Sequence, residues 1–112
     1  MKIEVSNGEI IDKLTILRIK SERIRDKDKL MNIMKEYDEL KNQASSILSQ
    51  DDPLYQALYD INNELWDIED NIRELERRKD FGREFIETAR SVYFRNDKRA
   101  EIKREINIRT SS

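Results

Sequence analysis

The sequence predicts an all-α fold, a long antiparallel helical hairpin or three- to four-helix bundle completed by dimerisation. Three observations carry this expectation. Charged residues make up 41% of the 112 residues and hydrophobic ones 37%, the balance of helices that bury one stripe and solvate the rest. Only two glycines and one proline are present, far too few for the turns of a sheet. Apolar residues recur at three- and four-residue spacing along most of the chain. The length suits one domain over residues 1–112. The core of so small a helical monomer is thin, and a second copy, paired as in a coiled coil, would complete it.

Met1–Val5 alternates apolar and charged residues, a pattern for a short extended arm. The first helix, expected over about 7–25, opens on Ser6-Asn7-Gly8-Glu9. This is a capping box, in which the serine hydroxyl accepts from the Glu9 N–H and the Glu9 side chain returns to the Ser6 N–H. Val5 and Ile10 occupy the positions of a hydrophobic staple. Ile10, Leu14, Leu17 and Ile24 form one stripe, while Ile16 and Ile19 lie roughly 100–150° away. A helix apolar on two sides has two things to pack against, and Ile16 and Ile19 are therefore the predicted interface with another subunit.

Asp26 or Asp28 caps a second helix, expected over about 28–48, whose stripe runs from Leu30 through Tyr37 and Leu40 to Leu48. Asp52-Pro53 reads as an N-cap followed by proline at the first helical position. The third helix is expected over about 53–93, on a stripe from Leu54 to Val92, bent near Asp80–Gly82. Asn96 then caps a short last helix over about 97–107.

Composition excludes several chemistries. With no cysteine and no histidine there is no disulfide, thiolate, His-based triad or zinc site of the usual kind. A net charge of −2 gives no global attraction to nucleic acid or acidic membranes. Apolar runs do not exceed three residues, so neither a signal peptide nor a membrane span is expected, and the setting reads as cytoplasmic. No cofactor is expected.

Four constellations could carry chemistry. Glu36 with Glu39 and Glu64 with Asp67 form paired acidic motifs on consecutive helices, the pattern with which all-α nucleotide pyrophosphatases hold magnesium. Lys35 stands where the fuller motif has another glutamate, and solvated helix faces are the plainer reading. The first helix loosely resembles that of helical chorismate mutase, in which basic groups such as Lys13, Lys20 and Arg23 would clamp a dianion. The later basic residues do not follow that family's spacing, and ordinary pairs with Glu9, Asp12 and Glu22 at helical spacing are the plainer reading.

The third constellation is the segment from Arg90 to Arg109. It holds seven basic and three acidic residues, +4 against −6 for the rest of the chain. Arg90, Tyr93, Asn96, Arg99, Lys103 and Arg104 are candidates for holding a phosphate or carboxylate, with Asn96 opening a helix N-terminus towards it. Pairing of this basic segment with the acidic body, within a chain or across a dimer, is the plainer reading. The fourth is Trp66 with Tyr37, Tyr55 and Tyr59, a ring-rich face suited to bases or sugars and more simply to a core.

Two stretches match a longer pattern. One is Ser6-x-Gly8-Glu9-Ile10-x-Asp12-Lys13-Leu14-Thr15-Ile16-Leu17-x-Ile19-Lys20. The other begins Leu65-Trp66-x-Ile68-Glu69-Asp70-x-Ile72-Arg73 and resumes from Phe85 through Asn96-Asp97-x-Arg99-Ala100-x-Ile102-Lys103-Arg104-x-Ile106-Asn107. Together they resemble an uncharacterised family of small helical proteins and domains of bacteria and their phages. The resemblance implies a helical fold and a cytoplasmic setting, and carries no activity. It singles out polar positions that no packing rule requires: Glu9, Asp12, Lys13, Lys20, Glu69, Asp70 and Arg73, beside those of the basic segment.

The leading functional expectation is a non-catalytic interaction or oligomerisation protein, a homodimer in the first instance. The alternatives are a binding protein or enzyme for a small anionic molecule, and nucleic-acid binding through the basic C-terminal helix.

Overall fold

A computed structural model describes residues 5–112; the expected arm at Met1–Val5 lies almost wholly outside them. Four helices follow in order: α1 (Asn7–Arg23), α2 (Lys27–Ala44), α3 (Pro53–Arg77) and α4 (Arg83–Arg109). The described residues contain no strand. α3 and α4 form a hairpin, and α1 packs against both of them and against α2. α1 is therefore the central helix; the α2 backbone runs close to α1 alone, and its Ala44 joins the core with Tyr55 of α3.

The helix starts follow from local chemistry. Ser6 Oγ accepts the Glu9 N–H at 3.3 Å, half of the expected capping box. The Glu9 carboxylate instead meets Lys103 Nζ at 2.5 Å, so a contact with α4 replaces the local return arm. Asp26 is the cap of α2, its carboxylate accepting from Asp28 and Lys29 at 3.0 and 3.1 Å. Asp52 caps α3 through the Leu54 N–H at 2.9 Å, with Pro53 at the first helical position.

Three expected boundaries are corrected. α1 ends at Arg23, where Ile24 turns extended. α2 ends at Ala44 and not near residue 48. There Ser45 and Ser46 hydroxyls bond back to the Asn42 and Gln43 carbonyls, which competes with the helix ladder, although Leu48 still enters the core. The expected continuous helix over 53–93 is two helices. Lys79 is left-handed at φ 56°, the Asp80 N–H reaches the Leu75 carbonyl at 2.9 Å and the Lys79 N–H the Glu76 carbonyl at 3.0 Å. That is a Schellman closure built on lysine in place of glycine. Gly82 has negative φ and caps α4.

α4 then runs without interruption through Asn96 to Arg109, so Asn96 caps nothing and the expected anion-attracting helix start at residue 97 does not exist. Its four consecutive polar residues, Arg95 to Lys98, are all exposed, spread around the helix.

The core joins Ile11 and Leu14 of α1 to Tyr55, Leu58 and Ile61 of α3 and Ile102 and Ile106 of α4, with Ala44 and Leu48 closing one edge. Each such aliphatic side chain contributes about 1.5–3 kcal/mol of burial. The second side of α1 is covered by the same chain. Ile19 is only 1% exposed and Ile16 half-buried. Ile19 therefore has no surface to offer a partner, which corrects its assignment to a subunit interface.

Candidate functional site

The second face of α1 carries polar groups among its aliphatics. Asp12 is 4% exposed and Thr15 fully buried. A carboxylate at such depth needs partners, and α3 and α4 supply them. Arg99 of α4 approaches side-on, with Nε to Oδ1 at 2.9 Å and Nη2 to Oδ2 at 2.5 Å. Asn62 of α3, 6% exposed, donates from Nδ2 to Asp12 Oδ1 and to Thr15 Oγ1, both at 2.9 Å. The Thr15 hydroxyl donates to the Asp12 carbonyl at 2.7 Å. Hydrogen bonding to Asp12 is the largest influence on Arg99 and raises its pKa against the opposing desolvation, so the guanidinium stays charged.

The start of α1 is fastened to the end of α4 nearby. Asn107 Oδ1 accepts the Gly8 N–H at 2.7 Å, and Asn7 binds Thr110 and Ser112 hydroxyls at 3.0 and 2.8 Å. Gly8 makes this approach possible: a Cβ there would stand 2.6 Å from the Lys103 carbonyl oxygen. Close backbone approach, not unusual φ, is what requires glycine here.

Beside Arg99 lies a recess of about 240 Å³ between α1, α3 and α4. Its polar wall comes from Lys20, Glu69, Asn96 and Arg99, with Asn62 behind, and its apolar wall from Ile16, Ile19, Leu65 and Trp66. Lys20 forms no ion pair among the described residues and is half-buried. Two stretches far apart in sequence thus place their unexplained polar residues against one another. The chain belongs to the family of unknown function DUF6165, whose pattern matches residues 1–112. No curated protein and no solved structure matches it. Membership in DUF6165 carries no activity, so chemistry must be argued from the geometry.

Other candidate residues are dispersed. Arg104 is exposed and without an ion pair among the described residues, while Lys103 is held by Glu9. Arg90 and Tyr93 lie on a separate face of α4. The expected anion site built from Arg90, Tyr93, Asn96, Arg99, Lys103 and Arg104 is therefore not assembled as one cluster. Much of the basic segment instead pairs with the acidic body: Arg95 with Glu64, Arg99 with Asp12, Lys103 with Glu9 and Arg109 with Asp52.

Lys13 is exposed on the α2 side of α1, flanking a depression with Glu36 and Glu39. Lys20 faces the recess, and Arg23 is bound to Asp67 at 2.7 Å, so these three do not form a clamp. Asp70 and Arg73 pair with each other at 2.5 Å on the outer surface of α3. Glu36 and Glu39 border the depression against α1, whereas Glu64 pairs with Arg95 and Asp67 with Arg23, so the two acidic motifs do not converge. No group of three or more metal-ligating side chains occurs among the described residues. Nor is any helix among them long and apolar enough to cross a membrane.

Tyr55 is core and Trp66 half-buried at the recess. Tyr59 binds Glu22 at 2.5 Å beneath Arg18, whose guanidinium lies 4.2 Å from the ring centre. Asn62 and Thr15 are functional candidates that the sequence reading missed. Asn62 falls in step with Leu58 and Leu65 on the buried stripe of α3, and a polar residue in such a stripe is the available signal.

A second feature is apolar. Phe81, Ile86, Tyr93 and Phe94 are 54%, 55%, 73% and 59% exposed, and they share one surface with Phe85 and Ala89. α4 here faces α3 on one side through Thr88, which meets Asn71 at 3.4 Å, and leaves this other side open.

Proposed function

We propose that the protein is a non-catalytic helical interaction protein that self-associates through the open face of α4. One observation carries the reading: four large apolar side chains, three of them aromatic, stand more than half exposed on one continuous surface. Large exposed apolar patches mark interaction sites on small soluble domains.

The pattern of α4 suits a second copy in antiparallel register. Placing Ile86 opposite the partner's Tyr93 also sets Phe85 opposite the partner's Phe94. The crossing then falls beside Ala89, whose small side chain lets two helices approach. The open face presents on the order of 500 Å² per chain, so a dimer would bury about 1,000 Å², at the small end for specific interfaces. The expected dimer is accordingly of micromolar affinity. It does not need Ile19, and the self-association reading shifts from α1 to α4.

Sedimentation velocity on the full chain between about 5 and 100 µM tests this. Rising sedimentation coefficients in the wild type, abolished by Ile86→Glu, are the expected result. A concentration-independent monomer across that range contradicts it.

A further inference from the structure

We propose that the recess between α1, α3 and α4 binds a small organic monocarboxylate with an apolar body. The inference is independent of self-association, since the recess and the open face of α4 share no lining residue.

Arg99 stands at the wall of the recess. Asp12 holds it through Nε and one Nη2 N–H, leaving Nη1 and the other Nη2 N–H without a protein partner among the described residues. A buried ion pair is a weak source of stability, because desolvating two charges offsets most of their attraction. What the arrangement does is fix the plane of a guanidinium at the wall of a cavity. Asp12 is itself fixed by Asn62, and Thr15 fixes both. This is the construction of a preorganised anion site: a charged group at the wall, supported from behind by a satisfied polar network.

Lys20 adds a second cation to the same recess, half-buried and free of any ion pair among the described residues. A half-buried lysine beside an arginine is unfavourable unless an anion sits between them or water solvates it. Glu69 supplies one negative charge to the wall. With Asp12 cancelling Arg99 from behind, the two cations and two carboxylates balance before any ligand enters. With no net positive charge left over, what recommends an anion is the set of unbonded N–H donors on Arg99 and Lys20, and Glu69, which repels any anion, opposes a dianion about twice as strongly as a monoanion. The planar edge of the guanidinium matches a carboxylate in geometry.

The rest of the occupant is set by the other wall. Leu65, Trp66 and Ile16 offer the recess apolar surface. At about 240 Å³ the recess is smaller than the roughly 300–1,000 Å³ of drug-sized sites, so the occupant has on the order of ten non-hydrogen atoms.

Trp66 is the only tryptophan in the chain, so its fluorescence reports directly on the recess. The full-length protein is titrated separately with phenylacetate, hexanoate, neutral phenylacetamide and inorganic phosphate. A saturable change in Trp66 emission with at least one carboxylate is expected, at least tenfold tighter than with phenylacetamide or phosphate. Lys20→Met should weaken that carboxylate at least tenfold. Glu69→Gln, which removes an exposed like charge, should tighten it about threefold, an effect that a purely structural role would not produce.

The proposal is overturned if neither carboxylate gives a saturable change up to about 10 mM. It is equally overturned if phenylacetamide or phosphate binds as well as the carboxylates, or if both variants bind as the wild type does. Circular dichroism verifies that each variant is folded; if Lys20→Met is not, Glu69→Gln decides alone.

Discussion

Replacing Asp12 by alanine removes the centre of the polar network while leaving every partner in place. Three hydrogen bonds disappear, two from Arg99 and one from Asn62, and all three end on a carboxylate that is 4% exposed. Hydrogen bonds to charged groups contribute about 1.5–3 kcal/mol each, but Arg99 is partly exposed and regains water when Asp12 is lost. The expected loss is therefore about 3 kcal/mol, near the lower limit for breaking a buried pair. Arg99→Met strands the buried carboxylate instead and should cost about 4 kcal/mol.

Removing both charges together should cost only about 2 kcal/mol, because neither is then left alone, and Asn62 merely loses an acceptor. Urea unfolding followed by circular dichroism measures all three. With a slope of about 1.5 kcal/mol/M for a chain of this size, Asp12→Ala lowers the midpoint by about 2 M. Additive losses, with the double variant near 7 kcal/mol, would refute the coupling on which the network rests. So would an Asp12→Ala loss below about 1 kcal/mol.

Gly8→Ala should destabilise by about 1–2 kcal/mol, because the new Cβ meets the Lys103 carbonyl and outweighs alanine's better helix propensity; thermal unfolding checks the sign. Lys79→Gly should raise stability by about 1 kcal/mol, since glycine relieves the left-handed backbone, and a lower melting temperature would count against the Schellman reading. The buried Tyr55 hydroxyl has the Arg18 guanidinium as its polar neighbour but makes no well-formed hydrogen bond among the described residues, so Tyr55→Phe should change stability by less than about 1 kcal/mol in urea unfolding. Glu9→Gln removes a half-exposed ion pair to Lys103 and should cost less than about 1 kcal/mol, a loss that shrinks further in high salt.

The parts of the fold that could be read in advance are those decided locally. Ser6, Asp26 and Asp52 announce helix starts because a short polar side chain satisfies free N–H groups wherever it stands. The break between α3 and α4 could not be read the same way. Lys79 adopts a conformation that lysine disfavours, while Gly82, the residue that usually signals such a break, has ordinary negative φ. Asn96 looked like a cap because asparagine is a good one, yet nothing near it stops the helix, and its side chain serves the recess instead.

The candidate site was legible as a set of residues but not as an arrangement. Glu9, Asp12, Lys20, Glu69, Arg99 and Lys103 are polar positions without a packing reason in the sequence; contacts between helices supply one for Glu9, Asp12, Arg99 and Lys103, while Lys20 and Glu69 border the recess. Which of them meet depends on the depth at which α4 crosses α1, and Gly8 sets that depth. The periodicity of α1 carries its two apolar sides. Only the tertiary structure reveals that α3 and α4, not a second subunit, cover Ile19.

The open face of α4 is the feature on which the functional account turns, and its most direct test is sedimentation velocity of the wild type beside Ile86→Glu and Tyr93→Glu. The account predicts a monomer–dimer equilibrium with a micromolar midpoint in the wild type and monomers in both variants. A wild type that stays monomeric at about 100 µM, or variants that dimerise as the wild type does, would contradict it.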